Sequence, residues 1–207
     1  MTYFVTGATG FIGRYLVQSL LQRGKGTIYV LVRPKSLGKL DELREFWGKE
    51  SVKRVVPIKG DLAQPKLGVS RGDLTKLKGK VKHFFHLGAV YDLEASAETM
   101  HEANIVGTQT ALAFAEAVNA GCFHLVSSIA AAGLYRGTFT EDMFEEAEDL
   151  DHPYYRTKHD SEGLVRANGR IPFRIYRPGV VVGHSQTGFI DKIDGPYYFF
   201  KALQRLR

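Results

Sequence analysis

Residues Tyr3–Leu21, with the sequence YFVTGATGFIGRYLVQSLL, decide the fold that this chain can adopt. A short β-like run leads into a segment whose apolar residues recur every three or four positions, which is typical of a helix with one buried face. Three glycines, Gly7, Gly10 and Gly13, lie at the junction. The first turn of a helix carries unpaired backbone N–H groups and the positive end of the helix dipole, so it attracts phosphate. The stretch therefore predicts a strand, a tight turn and a helix that together bind a pyrophosphate.

These glycines are three residues apart, whereas the usual dinucleotide fingerprint is G-x-G-x-x-G. Each can still serve as a fingerprint glycine: Gly7 permits the turn, Gly10 lets a phosphate approach the backbone, and Gly13 lets the helix pack on the strand. A plain glycine-rich turn without a ligand would use the same residues, so the pattern alone is weak. Its position at the start of an alternating α/β chain favours nucleotide binding.

Strand-like and helix-like segments alternate along the whole chain. The predicted strands are 2–6, 27–32, 52–60, 81–90, 122–128 and the start of 173–183, and the predicted helices are 11–24, 40–47, 95–118 (bent near Gly107) and 154–167. Such alternation implies parallel strands joined by right-handed crossovers. We therefore predict a single domain over residues 1–207, an α/β fold with a doubly wound parallel sheet and helices on both faces.

Composition excludes several classes of protein. The 207 residues are 44% hydrophobic and 24% charged, and they contain no apolar run near the ~18 residues of a membrane span. No leader pattern is visible, and Cys122 is the single cysteine, so we expect a reducing, cytoplasmic location. The net charge of +6 comes without a nucleic-acid-binding motif, so no nucleic-acid partner is expected.

Histidines near the strands are interpreted as packing residues. His83, His86 and His124 lie in or beside predicted strands, and no acidic or histidine partner stands at metal-ligand spacing. We therefore predict no metal site.

The end of the second predicted strand indicates which dinucleotide is bound. A fold that prefers NAD places Asp or Glu about 20 residues after the glycines, to hold the ribose 2′-hydroxyl. Here the strand runs into Arg33, with Lys35 and Lys39 close behind. A guanidinium can hold a 2′-phosphate with paired hydrogen bonds, whereas a carboxylate would repel it. An exposed basic loop is the simpler alternative, and we predict NADPH rather than NADH.

A tyrosine, a lysine and a serine provide the candidate chemistry. Tyr154 and Lys158 are one helical turn apart, and an ammonium beside a phenol stabilises the phenolate, so the tyrosine can exchange protons near neutrality. Ser127 and Ser128 end the preceding strand, at the edge where parallel sheets bind ligands. A hydroxyl there can hydrogen-bond and polarise a substrate carbonyl. An ordinary amphipathic helix and a strand-end turn would show the same residues.

Taken together, these residues resemble the extended short-chain dehydrogenase/reductase family. The resemblance rests on the motifs TGATGFIG (6–13), GDL (60–62), HLGAV (86–90), NIVGT (104–108), VSSIAAAG (126–133) and RPGVVVG (177–183). It implies a Rossmann-type fold and assigns the catalytic roles to Ser128, Tyr154 and Lys158. The cofactor contacts that it implies are Gly7, Thr9, Gly10, Phe11, Ile12, Gly13, Arg33, Lys39, Asp61, Leu62, Leu87, Gly88, Ala89, Tyr154, Lys158, Pro178 and Gly179.

Longer stretches are similar to the thioester-reductase branch of that family, and the match to the N-terminal reductase domain of bacterial fatty acyl-CoA reductases is particularly close. They include residues 29–48, 86–93, 127–134, 141–159 and 176–200. The resemblance implies NADPH-dependent reduction of an acyl thioester to an aldehyde, and in some members onward to the alcohol. Some bacterial members carry a second reductase domain in the same chain, which is a candidate partner here. Family members continue past FFKALQRLR, so we expect the part that builds the substrate site to lie outside this chain.

Two other interpretations stay open at this stage. Nucleotide-sugar epimerases, dehydratases and other carbonyl reductases of the extended family share the Ser/Tyr/Lys set, although the epimerases usually prefer NAD, which Arg33 disfavours. A non-catalytic NADP-sensing module would need the cofactor site alone, but such proteins often lack the tyrosine–lysine pair that is intact here.

Overall fold

The computed structural model describes residues 1–90, 95–168, 170–190 and 196–206, so parts of the stretches 86–93 and 176–200 lie outside the described residues. The strands are β1 Thr2–Thr6, β2 Thr27–Val32, β3 Val55–Lys59, β4 His83–His86, β5 Phe123–Val126 and β6 Phe173–Tyr176. The helices are α1 Phe11–Arg23, α2 Leu37–Trp47, α3 Lys49–Arg54, α4 Arg71–Leu77, α5 Ala97–Met100, α6 Gly107–Ala117, α7 Pro153–Arg166 and α8 Pro196–Arg205. A π-helix, His101–Val106, joins α5 to α6, and 3₁₀ turns lie at Pro34–Ser36, Pro65–Gly68 and Ile129–Ala132.

The strands form one sheet in the order β3-β2-β1-β4-β5-β6, and every neighbouring pair is parallel. The chain runs outward from β1 to β3, crosses back, and then runs outward again from β4 to β6. This confirms the predicted doubly wound α/β fold. The order reverses between β1 and β4, and the carboxyl ends of the strands at such a reversal form the crevice in which α/β proteins bind ligands.

Two apolar layers cover the two faces of the sheet. On one face Phe4 and Phe84 stack with ring centroids 4.8 Å apart, and Phe114 of α6 packs against them. On the other face Val5 lies with Trp47 of α2, whose indole N–H donates to a backbone carbonyl of α1 at 2.8 Å. Because both faces are covered, the central strands are nearly continuous apolar runs.

Several details differ from the sequence prediction. Residues 52–54 belong to α3 rather than to the third strand, because Gly48, with φ +79°, ends α2 and lets a second short helix start before β3. Helix α4, Arg71–Leu77, lies in a segment for which no helix or strand was predicted. The long helix over 95–118 is irregular at His101–Val106, just before the expected bend at Gly107.

The described chain divides into two compact units, Met1–Arg177 and Pro178–Arg207. The first contains the sheet and α1–α7. The second contains α8, and in it the hydroxyl of Tyr197 accepts a hydrogen bond from the Gly183 N–H at 2.7 Å. Among the helices in the described ranges, none combines the length and the apolarity that a membrane crossing requires.

Candidate active site

The glycine turn between β1 and α1 has no room for side chains at two of its three glycines. Gly7 has φ +72°, and a Cβ there would lie 2.8 Å from the backbone nitrogen of Gly88. A Cβ on Gly13 would lie 2.1 Å from the carbonyl oxygen of Gly7. At Gly10 the nearest atom would be 3.3 Å away, a much milder contact. The protein's own packing therefore demands glycine at Gly7 and Gly13, while Gly10 keeps the helix terminus open.

Helix α1 begins at this turn without a side-chain cap. Gly10 is the N-cap and provides no side-chain hydrogen bond, and the first turn contains no acidic residue. The orphan N–H groups and the positive end of the dipole thus face the crevice without a compensating charge from the helix itself. Such an arrangement suits an anion.

A cleft of about 450 Å³ opens at this turn, within the range of small-molecule sites. Its walls are the glycine turn, the end of β2, the loops after β3 and β4, and the helical segment around the π-helix. The predicted contacts that line it are Gly7, Thr9, Gly10, Arg33, Asp61, Leu62, Leu87, Gly88 and Ala89. Phe11, Ile12, Gly13, Lys39, Tyr154 and Lys158 are not among its lining residues, and Pro178 and Gly179 belong to the second compact unit.

Arg33 reaches the cleft from the loop after β2. It is exposed, and within the described residues its guanidinium takes part in no hydrogen bond or ion pair. Lys39 is also exposed but lies in α2, away from the cleft lining. Ser36, which the sequence analysis missed, lines the cleft through the turn that starts at Arg33. An exposed guanidinium beside a hydroxyl is a suitable setting for a phosphate group.

The loop after β3 is fixed at the cleft by backbone contacts. The N–H of Asp61 donates to the carbonyl of Leu67 at 2.8 Å, and its carboxylate accepts from the Ala63 N–H at 3.1 Å. The carbonyl of Leu62 accepts from the Thr110 hydroxyl of α6 at 2.6 Å. The Leu62 side chain lies so close to Gly88 that a Cβ on that glycine would be 2.4 Å from it.

Helix α7 carries the tyrosine–lysine pair in a buried position. The His152 ring caps the helix by accepting the Tyr154 N–H at 3.1 Å. Tyr154 and Lys158 are only 6% and 7% exposed, and the Lys158 ammonium lies 5.9 Å from the centre of the Tyr154 ring. Burial lowers the pKa of Lys158 to about 8. The helix thus keeps a cation next to a phenol inside the protein.

His86 is a buried link between the strands and α6. Its Nδ1 is 2.7 Å from the Thr6 hydroxyl, and its Nε2 is 3.1 Å from the Thr108 hydroxyl. Burial, and secondarily the charge of Lys158, lowers the pKa of His86 to about 3. Because Thr6 also accepts the Gly88 N–H at 3.2 Å, this neutral imidazole helps to hold the cleft loop in place.

Asn104 performs a similar linking role from the π-helix. Its amide oxygen accepts the Val90 N–H at 2.8 Å, and its amide nitrogen donates to the Val90 carbonyl and the Thr157 hydroxyl, both at 3.2 Å. The loop after β4 and α7 are therefore joined through one buried side chain. The NIVGT motif marked this segment, but the spacing of its letters does not reveal these contacts.

The two adjacent serines after β5 have different surroundings. Ser127 is buried and donates to the Glu162 carboxylate at 3.1 Å. Ser128 is half-buried, and its hydroxyl oxygen accepts the Ala130 N–H at 3.1 Å at the start of a 3₁₀ turn. This turn is joined to α7 by a 3.0 Å contact between His159 Nδ1 and the Ala131 carbonyl. Ser127 is thus engaged with a charged partner, which leaves Ser128 as the accessible hydroxyl.

Glu162 is the most deeply buried charge on α7, and the sequence analysis missed it. Its carboxylate accepts from Ser127, from Arg166 at 2.9 Å and from Arg177 at 2.5 and 3.1 Å. Burial alone would raise the pKa of Glu162, but hydrogen bonds from Arg177 and Arg166 outweigh it and lower that pKa. Arg177 also donates to the carbonyls of Thr140 and Met143. This network joins α7, the serine strand and the end of β6. The sequence does contain one signal for it, the four-residue spacing between Glu162 and its ion-pair partner Arg166 on the same helix.

Comparison with known proteins gives a family match over almost the whole chain. The model for the NAD-binding family described as Male sterility protein matches residues 5–207. A linear gramicidin synthase subunit from Brevibacillus parabrevis is 35% identical over 205 residues, which cover 92% of this chain and 4% of that protein. A putative fatty acyl-CoA reductase of Drosophila melanogaster is 28% identical over 243 residues, which cover 96% of this chain and 45% of that protein.

A solved structure extends the similarity to the fold. The terminal R domain from the myxalamid PKS-NRPS biosynthetic pathway superposes with a TM-score of 0.80 and 33% identity, over 90% of this chain and 51% of that one. The chain therefore spans about half of that solved domain and a smaller share of the two relatives.

Proposed function

This chain belongs to the male sterility protein family, and we propose that residues 1–207 are the NADPH-binding domain of an oxidoreductase that reduces acyl thioesters. The observation that carries the proposal is the buried pair Tyr154–Lys158 on α7, a helix joined to the turn that starts at Ser128. The glycine-lined cleft lies at the same carboxyl edge of the sheet as that turn. The remainder of the substrate site would come from sequence outside this chain, in agreement with the partial coverage of its relatives.

The cleft fits a nicotinamide dinucleotide. The uncapped first turn of α1 suits the pyrophosphate, and Arg33 with Ser36 suits a 2′-phosphate, which favours NADPH. Asp61, Leu62 and the loop Leu87–Ala89 would hold the adenosine half. When bound, NADPH supplies the hydride.

The chain's own residues would handle the charge and the proton. Ser128 donates a hydrogen bond to the thioester carbonyl oxygen, so negative charge can develop there. Tyr154 donates its phenolic proton to that oxygen, and the Lys158 ammonium stabilises the phenolate that remains. The product of this step is a hemithioacetal, which releases a thiol and leaves an aldehyde.

The substrate that we propose is a long-chain fatty acyl thioester of coenzyme A or of an acyl carrier protein. One relative is described as a putative fatty acyl-CoA reductase, and another is part of a linear gramicidin synthase, so both fatty and peptidyl thioesters belong in the test. Further reduction to the alcohol, a second reductase domain and a cytoplasmic location stay predictions.

The decisive experiment follows NADPH oxidation with palmitoyl-CoA in the complete protein that contains this chain. We expect Tyr154→Phe to lower kcat at least ~100-fold, the typical size of a general acid's contribution. Tyr155→Phe is the matched control: it removes only the hydroxyl of the neighbouring tyrosine, keeps the ring that packs near His152, and should keep most of the activity. Equal activity of wild type and Tyr154→Phe would refute the assigned role.

Other outcomes separate the alternative functions. Turnover of a nucleotide sugar with NAD, but none of thioesters, would identify an epimerase or dehydratase. Tight NADPH binding without turnover of any thioester or other carbonyl compound would identify a sensing module. A peptidyl thioester reduced in preference to palmitoyl-CoA would keep the reaction and change the substrate.

A further inference from the structure

Three metal-ligating side chains meet at the amino ends of β4 and β5, the sheet edge opposite the cleft. His83 is the first residue of β4, Cys122 directly precedes β5, and His124 is the second residue of β5. Phe85 pairs with His124 in the parallel register, and side chains alternate along a strand, so all three residues share one face. We propose that His83, Cys122 and His124 form a binding site for a zinc ion, contrary to our prediction from the sequence.

The distances are close to those of a zinc site. His83 Nδ1 and His124 Nε2 are 2.9 Å apart, and one ligand atom from each of the three residues lies within 4.8 Å of the other two. Zinc bonds of about 2.0–2.1 Å to nitrogen and 2.3 Å to sulfur at tetrahedral angles separate ligand atoms by roughly 3.3–3.6 Å. Small side-chain rotations therefore suffice to admit the ion, and three protein ligands leave a fourth position for water.

The two imidazoles are ready to act as ligands. In the neutral pair one facing nitrogen carries the proton of this hydrogen bond and the other accepts it. A metal would bind both facing nitrogens once the donor ring moves that proton to its other nitrogen, so that each bound ring stays neutral with one outward N–H. Burial lowers the pKa of His124 to about 4 and also lowers that of His83, so both rings are neutral near pH 7. The Tyr176 hydroxyl is 3.0 Å from His124 Nδ1, an outer partner that keeps Nε2 directed at the site.

Cys122 decides which ion fits. Burial raises the pKa of its thiol, so without a metal the sulfur is protonated. Zinc binding forms a Zn–S bond and releases the thiol proton to solvent. One thiolate and two imidazoles, with no carboxylate in the cluster, suit Zn²⁺ rather than Mg²⁺ or Ca²⁺. Arg174 adds positive charge beside the cluster. The negative charge of the thiolate would therefore offset part of the combined positive charge of Arg174 and the ion.

The site would connect the first residues of two neighbouring strands, at the edge of the sheet opposite the cleft. A ligand that binds only the folded state stabilises it, so saturating zinc should raise the melting temperature of the chain. This consequence is independent of the reaction that the protein catalyses.

The test uses the full chain without an affinity tag, titrated with Co²⁺ as a coloured substitute and then with Zn²⁺. We expect one ion per chain, a thiolate-to-cobalt charge-transfer band, and displacement of cobalt by zinc. Cys122→Ser should abolish the band and weaken zinc binding at least ~100-fold, and Tyr176→Phe should weaken it about tenfold. His101→Gln removes an exposed histidine and should change nothing.

Two results would overturn the proposal. One is cobalt binding without a charge-transfer band, which would mean that no thiolate is a ligand. The other is equal zinc affinity in wild type and Cys122→Ser, provided that circular dichroism shows both folded. Cys122→Ala provides a second variant that cannot retain a weak oxygen ligand.

Discussion

In the cleft the residues that shape the site are glycines and exposed side chains, whereas around α7 they are buried and polar. At Gly7 and Gly13 the structure has no space for a Cβ, and Arg33 extends into the cleft with no partner among the described residues. On α7, Lys158 and Glu162 are almost completely enclosed. The first region depends on backbone shape, which local sequence specifies, and the second depends on contacts between distant parts of the chain.

The largest effect should come from the buried carboxylate. Glu162→Ala leaves the Arg177 and Arg166 guanidinium groups without their anion, and breaking a buried ion pair in this way costs about 3–5 kcal/mol. The free energy of unfolding, from urea denaturation, measures the loss. Asp41→Ala removes an exposed partner of Arg44 and should cost less than about 1 kcal/mol. Similar losses in both variants would mean that burial of Glu162 is unimportant.

On the cleft side the matching change adds a single methyl group. Gly13→Ala places a Cβ 2.1 Å from the Gly7 carbonyl oxygen, where only the backbone could give way, and we expect a loss near ~3 kcal/mol. Gly38→Ala is the control, since a Cβ in that helical position meets no described atom within 4 Å and should stabilise the chain slightly. An unchanged melting temperature for Gly13→Ala would show that the turn can relax.

The sequence was informative where the determinants are local. β1 and β2 have the predicted bounds, because their apolar runs are covered on both faces. Two of the predicted glycines, Gly7 and Gly10, also come together with Arg33 at one sheet edge, as parallel topology requires.

The sequence was uninformative where partners are remote. Arg177 follows its partner Glu162 by only 15 residues. The contact between Glu162 and Ser127, however, spans 35 residues, and no periodicity in the sequence reveals that contact. Asn104 joins a loop to α7 across 53 residues in the same way. The short helix α3 was missed because the break before it depends on the positive φ of Gly48.

A pH experiment distinguishes the two regions further. An unfolded histidine binds a proton below about pH 6.5, but folded His86 does so only near pH 3, because burial lowers its pKa. Between these values the unfolded state binds more protons, so stability is full above this window and falls as the pH is lowered through it. At about pH 5 the loss from His86 should be about 2 kcal/mol. Urea unfolding at about pH 7 and pH 5 measures it.

The variants of that experiment assign the effect. His86→Gln should lower the free energy of unfolding at both pH values. The difference between the two values should nevertheless shrink by about 2 kcal/mol, because the variant lacks the titrating imidazole. His101→Gln, at an exposed position, should leave the slope unchanged. A slope that persists in His86→Gln would assign the pH dependence to other groups, among which His124 also has a pKa lowered by burial.

The smallest effect tests the cleft without touching its backbone. Arg33→Ser removes the guanidinium that we expect to hold the 2′-phosphate, and the loss of one charged contact should weaken NADPH binding about tenfold while leaving NADH binding unchanged. Lys39→Ser is the matched control, because Lys39 is exposed and basic but lies outside the cleft lining. Titration calorimetry with both dinucleotides gives the preference for NADPH, expressed as the Kd for NADH divided by the Kd for NADPH. If Lys39→Ser lowers that ratio as much as Arg33→Ser does, then the basic surface as a whole attracts NADPH and Arg33 has no specific contact with it.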